Sequence, residues 1–192
     1  TLGCKVNQYE TQAMSEIFLN NGYQIVEDTE TADVYVINTC TVTNVGDKKS
    51  RQFIRKVKRI NPEAIIAVVG CYSQTAPEEV AKIEGVNVII GTHERNKIVD
   101  LVERCSVDET INIVEDIMQI KEFEEMSIQE IKDKTRAFLK IQEGCNQYCS
   151  YCIIPYARGN IRSRRKEEVI REITSLVDNG FVEVVLTGIH VA

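Results

Sequence analysis

The 192-residue sequence has no run of about 18 apolar residues, which excludes an ordinary membrane-spanning helix and any partnership with a bilayer through one. It lacks an initiator methionine at Thr1 and stops at Ala192 just after a strand-like run, so it reads as a fragment in which a missing leader carries little information. It also lacks excess positive charge: 23 Lys and Arg against 29 Asp and Glu give −6, which excludes a surface that is basic throughout. Its seven cysteines are odd in number and lack the compact spacing of a small disulfide scaffold. That pattern argues for a reducing, cytoplasmic compartment, with the thiols used for metal or redox chemistry.

What is present is an ordinary apolar content, 43%, and a length that allows one domain and part of a second. Along the first hundred residues, strand-like and helix-like patterns alternate. Asn7 and Glu10 stand like a capping box, and Ala13, Met14, Ile17 and Phe18 make one helical face that Asn21-Gly22 ends. "DVYVINTC" (33–40), "AIIAVVGC" (64–71) and "VNVIIGT" (86–92) read as buried strands. Between the first two lies a helix with Phe53, Ile54, Val57 and Ile60 inward, stopped by Asn61-Pro62. Strands alternating with helices predict an α/β fold: βαβ units on a parallel sheet.

The expected divisions are a first domain over 1–105, an acidic and weakly periodic linker over 106–134, and a second domain from 135 to 192. In the last, "TRAFLKIQEGC" reads as a strand ending at Cys145. A helix over 166–180 follows, with Val169, Ile170, Ile173, Leu176 and Val177 on one face, and then the strand "VEVVLTGIH". This is a βαβ unit beginning again, consistent with the start of a truncated α/β barrel.

Cys4, Cys40 and Cys71 are each expected to end a strand. In a parallel sheet all strand carboxyl ends share one edge, the edge where α/β proteins bind ligands, so residues 36 and 31 positions apart meet there. Cys105 ends a helix instead and reads as a small buried apolar residue. A second trio, Cys145, Cys149 and Cys152, lies in "EGCNQYCSYCIIPYARG". Structural zinc sites complete a tetrahedron with a second C-x2-C pair or a nearby histidine, but the nearest histidine after this loop is His190, 38 positions on. Three close thiolates suit a 4Fe-4S cubane better, with one iron left open to a substrate or cofactor.

The C-x3-C-x2-C spacing, with Tyr151 just before its last cysteine, resembles the signature of the radical S-adenosylmethionine enzymes. "TLGCKVNQYET", "INTCTVT" and "VVGCYSQ" look like the three cysteine motifs of the methylthiotransferases within that superfamily. The resemblance implies a 4Fe-4S cluster on Cys145, Cys149 and Cys152, where S-adenosylmethionine is cleaved to a 5'-deoxyadenosyl radical. It also implies Tyr151 beside the adenine, and Thr187 and Gly188 of "LTG" holding the methionine part. A second 4Fe-4S cluster on Cys4, Cys40 and Cys71 would handle the sulfur that is methylated. The detail of "TLGCKVNQYE", "CIIPYARG" and "LTGIH" is most similar to the branch that modifies N6-threonylcarbamoyladenosine next to the tRNA anticodon. The branches acting on isopentenyladenosine tRNA and on a ribosomal protein aspartate are similar in plan. A non-catalytic iron-sulfur or zinc protein is the reading from a different class.

The partners so implied are tRNA, S-adenosylmethionine and an electron donor. Two basic runs would suit RNA phosphates. Lys48 to Arg59 carries seven basic residues and no acid, and Arg158 to Lys166 carries five, with Arg158, Arg162, Arg164 and Arg165 the expected contacts.

Overall fold

The computed structural model describes residues 1–27, 30–41, 44–126, 128 and 135–191, with the side chains of 44–48 outside that description. Val42 and Thr43 of the "INTCTVT" motif, the Lys48 side chain, positions 127 and 129–134 of the expected linker, and Ala192 therefore lie outside the described residues.

Strands β1 (Val34–Thr39), β2 (Ile65–Gly70), β3 (Val88–Ile90) and β4 (Ile111–Asn112) form one parallel sheet in that spatial order. Side chains alternate along β2, so Ile66 and Val68 face one layer and Ala67 and Val69 the other. The first layer holds α2 (Asn44–Ile60), α3 (Cys71–Thr75) and α4 (Pro77–Ala81), packed through Ile54, Val57, Tyr72 and Val80. The second holds α1 (Lys5–Asn20) and α5 (Ile98–Arg104), packed through Met14, Phe18, Ile98 and Val102. Burial on both faces is why these strands read as continuous apolar runs.

In the second half, β5 (Arg136–Lys140) pairs in parallel with β8 (Glu183–Thr187), with α7 (Lys166–Asp178) between them as the predicted βαβ unit. β6 (Gln142–Glu143) and β7 (Arg162–Ser163) form an antiparallel pair, and α6 (Ile154–Arg158) lies between them in sequence. Tyr9 and Ala13 of α1 pack with Met126, Ile128 and Leu139, joining the two halves through apolar contact.

Four sequence expectations need correction. Asn7 and Glu10 form no capping box. The N-cap of α1 is Cys4, and both residues are buried inside the helix, where other elements supply their partners. The strand expected to reach Cys145 breaks at Ile141, whose N–H donates to the Thr187 carbonyl at 2.9 Å before the chain changes partner to β7. The segment expected as a linker contributes β4 to the first sheet and buries Ile117, Glu124, Met126 and Ile128. Ile60, Ile170 and Val177, expected on inner faces, are exposed.

Candidate functional site

Thr39 and Gly70 are register partners, so Cys40 and Cys71, the next residues, leave the sheet side by side at its carboxyl edge. Cys4 reaches the same edge without ending a strand. Residues 1–4 run against β1, with the Leu2 N–H donating to the Asn38 carbonyl at 2.8 Å. Gly3 adopts φ +134, and a Cβ added there would sit 3.1 Å from the Cys40 Cβ, so only glycine lets the two segments approach this closely. Asn7 ties Cys4 to the end of β1, just before Cys40. Its Oδ1 accepts from the Cys4 thiol at 3.2 Å, and its Nδ2 donates to the Thr39 carbonyl and to Asn38 Oδ1, each at 3.0 Å. Cys4 is exposed, Cys40 half-buried and Cys71 buried, so the group opens to solvent on the Cys4 side.

Cys145, Cys149 and Cys152 lie on a loop closed at its stem. The Cys145 N–H donates to the Gly159 carbonyl at 3.0 Å, the Ile161 N–H to Asn146 Oδ1 at 2.9 Å, and the Cys152 N–H to the Cys149 carbonyl at 2.9 Å. Cys149 is exposed and the other two are half-buried, and all three are free thiols. Tyr151 is 90% exposed, an open aromatic face beside the loop. Thr187 ends β8, and Gly188 follows it against Gln142.

Gln142, unmarked by any sequence signal beyond its place before the loop, fastens that strand end to the cysteine loop. Its Nε2 donates to the Gly144 carbonyl at 2.7 Å, and its Oε1 accepts from the Ile189 and His190 N–H groups at 2.8 and 2.7 Å. Gly144 itself has φ +76, and a Cβ there would fall 2.0 Å from the Asn160 carbonyl oxygen. Gly144→Ala is therefore expected to displace the loop and lower the iron held by full-length protein after anaerobic reconstitution, read as iron per chain.

The largest feature that sequence reasoning missed is a buried ionic network between the halves. Arg158, only six residues after Cys152, uses all five N–H donors. Nε donates to the Cys71 sulfur at 3.3 Å. Nη1 donates to Glu10 and to Glu143 Oε1, the latter at 2.7 Å, and Nη2 donates to Glu10 Oε2 at 3.1 Å and Asn7 Oδ1 at 3.4 Å. Arg95 joins Glu10 at 2.5 Å and Glu124 at 2.6 Å, and Lys140 joins Glu10 and Glu143, each at 3.2 Å. Burial alone would raise the Glu10 carboxyl, but Arg158, Arg95 and Lys140 outweigh it and hold the group well below the usual carboxylate range. Glu143 is depressed in the same way by Lys140, Arg95 and Arg158 against its own burial. Burial pushes the Cys71 thiol up, with Arg158 opposing.

Three of the four arginines expected to touch RNA are thus unavailable. Arg158, Arg162 and Arg164 are buried. Arg162 Nη2 donates to the Arg158 carbonyl at 2.9 Å, and Arg164 pairs with Glu125 at 2.7 Å and with Glu172. The basic spacing suggested a solvated run, but acidic partners distant in sequence draw these side chains inward. Arg165 is exposed, as are Lys49, Arg55, Lys56 and Arg59 on α2. Cys105 is buried and donates to the Asn87 carbonyl at 3.3 Å, in keeping with a structural role. Among the described residues no helix is long and apolar enough to cross a membrane.

A parallel α/β half followed by a three-cysteine loop between β6 and α6 is the arrangement that the resemblance to the radical S-adenosylmethionine enzymes implied. The Radical SAM superfamily model matches residues 139–191, and that of the uncharacterized protein family UPF0004 matches residues 1–91. The chain is 53% identical over 191 residues to "Threonylcarbamoyladenosine tRNA methylthiotransferase MtaB" of Bacillus subtilis (strain 168), covering 99% of this chain and 42% of the relative. It is 44% identical over 189 residues to the protein of the same name from Aquifex aeolicus (strain VF5), covering 98% and 46%. Identity is 32% over 206 residues to "tRNA-2-methylthio-N(6)-dimethylallyladenosine synthase" of Staphylococcus haemolyticus (strain JCSC1435), covering 100% and 38%. The chain spans less than half the length of these curated relatives. Its first part thus matches the UPF0004 model, its last part matches the Radical SAM superfamily model, and over nearly its whole length the chain is similar to tRNA methylthiotransferases. The Radical SAM match over 139–191 implies a 4Fe-4S cluster and S-adenosylmethionine, and three free thiols on one loop suit three of the four irons.

Proposed function

We propose that the protein is a tRNA methylthiotransferase that converts N6-threonylcarbamoyladenosine next to the anticodon to its 2-methylthio derivative. The observation that supports this reading is the link that Arg158 makes between the two halves: its side chain touches Cys71, and the carbonyl of its neighbour Gly159 accepts from the Cys145 N–H. Replacing an unactivated C–H by C–S requires a strong hydrogen abstractor and a sulfur donor close to the resulting radical, so two sites held in one frame suit the reaction. The name of the relative at 53% identity favours this substrate over the dimethylallyl-type adenosine in the name of the relative at 32%.

In this proposal Cys145, Cys149 and Cys152 hold the cluster that supplies an electron to S-adenosylmethionine when both are bound. Tyr151 offers its exposed ring to the adenine, and Gln142 keeps Thr187 and Gly188 against the loop for the methionine part. Cys4, Cys40 and Cys71 hold the second cluster, with Asn7 and Gly3 keeping the first two together. The amino-terminal sheet, completed by β4 of the following segment, serves the first site, and the part from 135 onward serves the second. An electron donor serves the protein in the cytoplasm.

Mass spectrometry of tRNA nucleosides from cells lacking the full-length gene tests the substrate. The 2-methylthio form of threonylcarbamoyladenosine should vanish and its unmodified precursor accumulate. Loss of the isopentenyl-type methylthio nucleoside instead would overturn the assignment.

Phosphate contacts are assigned to Lys49, Arg55, Lys56 and Arg59 of α2 and to Arg165, all exposed. Reversing the four α2 charges should weaken tRNA binding and flatten its salt dependence by up to roughly one unit of log–log slope per lost contact. Unchanged slope and affinity would place the RNA surface elsewhere.

A further inference from the structure

Among the described residues, the buried network that surrounds Arg158 holds more cations than carboxylates. Glu10, Glu124 and Glu143, three carboxylates, face Arg95, Lys140, Arg158 and Arg162, four cations. Burying a surplus charge is costly unless an opposite charge meets it. Four of the five Arg158 donors go to Glu10, Glu143 and Asn7, and the fifth, Nε–H, goes to the Cys71 sulfur at 3.3 Å. A metal-bound thiolate at Cys71 would supply the missing negative charge. A neutral thiol would not.

We infer that Arg158 is a positioning residue for the amino-terminal cluster: its Nε–H fixes the Cys71 ligand and, by stabilising added negative charge, raises that cluster's reduction potential. The inference rests on the proposed ligand set Cys4, Cys40 and Cys71. It has a mechanical side as well. Asn7 Oδ1 accepts from both Arg158 and Cys4, so one arginine is tied to two of the three thiols. Gly159, the next residue, holds the Cys145 N–H, so a shift of the radical loop moves the group that fixes Cys71. Cluster potentials respond to net charge and to hydrogen bonds on the ligand sulfurs, and Arg158 supplies both.

The test uses full-length protein with Cys145, Cys149 and Cys152 all replaced by alanine and reconstituted without oxygen, so that only the amino-terminal cluster remains. About four irons per chain establish that cluster. Their absence would overturn the ligand set itself, a failure distinct from that of the inference. With the cluster present, Arg158→Gln should lower its midpoint by at least a tenfold change in the reduced-to-oxidised ratio, about 59 mV for a one-electron couple. Arg158→Lys, which keeps the charge but loses the directed Nε–H, should fall between. Because removing a buried cation can cost the fold, a second measurement leaves Arg158 in place. In protein labelled with 15N-arginine, the reduced cluster's electron-nuclear double resonance spectrum should show a 15N coupling from the guanidinium. An unshifted potential in iron-loaded, folded Arg158→Gln, or no 15N coupling in the labelled parent, would overturn the inference.

Discussion

Glu10→Ala should cost the folded protein about 3–5 kcal/mol, because it leaves Arg95, Lys140 and Arg158 buried without their shared carboxylate. The measurement is urea unfolding of full-length protein. The control is Glu183→Ala, which breaks the exposed Arg136–Glu183 pair and should leave the midpoint unchanged. The same network sets an acid limit. Glu10 and Glu143 ionise below their ordinary value of 4.5 when folded, so their contribution is fully present above that value and is lost as pH falls through the depressed folded values. The unfolding midpoint should therefore drop below pH 4.5 in the parent, and the drop should be shallower in Glu10→Gln. A pH profile identical in parent and variant would show that the network does not carry this stability.

Cys149→Ala should abolish both S-adenosylmethionine cleavage and methylthio transfer, whereas Cys40→Ala should leave cleavage to 5'-deoxyadenosine intact and abolish transfer. The two thiols stand on different elements, one on the exposed loop after β6 and one at the carboxyl end of β1, so each can be removed without disturbing the other's backbone bonds. If both proposed clusters are present, iron should fall from about eight per chain to about four in either variant, as one of the two proposed cubanes is lost. Equal loss of cleavage in folded forms of both would argue against separate roles.

Much of the architecture was legible because it is local. The runs at 33–40, 64–71 and 86–92 became β1, β2 and β3, since a strand covered on both faces must be apolar at consecutive positions. β4 was missed. Two residues, Ile111 and Asn112, are too few to produce a pattern, and only the edge of β3 makes them a strand. The inner faces of α2 and α7 were legible in part: Ile54, Val57 and Leu176 are buried, while Ile60, Ile170 and Val177 are not. Helical spacing marks an apolar stripe, but the width of the covering layer decides how much of it is covered.

The polar residues mark where the sequence stops being sufficient. The spacing of Cys145, Cys149 and Cys152 is written in eight consecutive positions, and the strand-end placement of Cys40 and Cys71 follows from parallel topology, so both were readable from the chain alone. Asn7 and Glu10 looked like helix caps, and Arg158, Arg162 and Arg164 looked like an RNA-facing run, because charge and spacing do not reveal direction. Only the tertiary structure, by bringing Glu10, Glu124 and Glu143 from three distant segments around Arg95 and Arg158, turned those residues inward. A buried charge is tolerated only beside its partner, and that partner is chosen by packing, over sequence distances that reach 148 positions between Glu10 and Arg158.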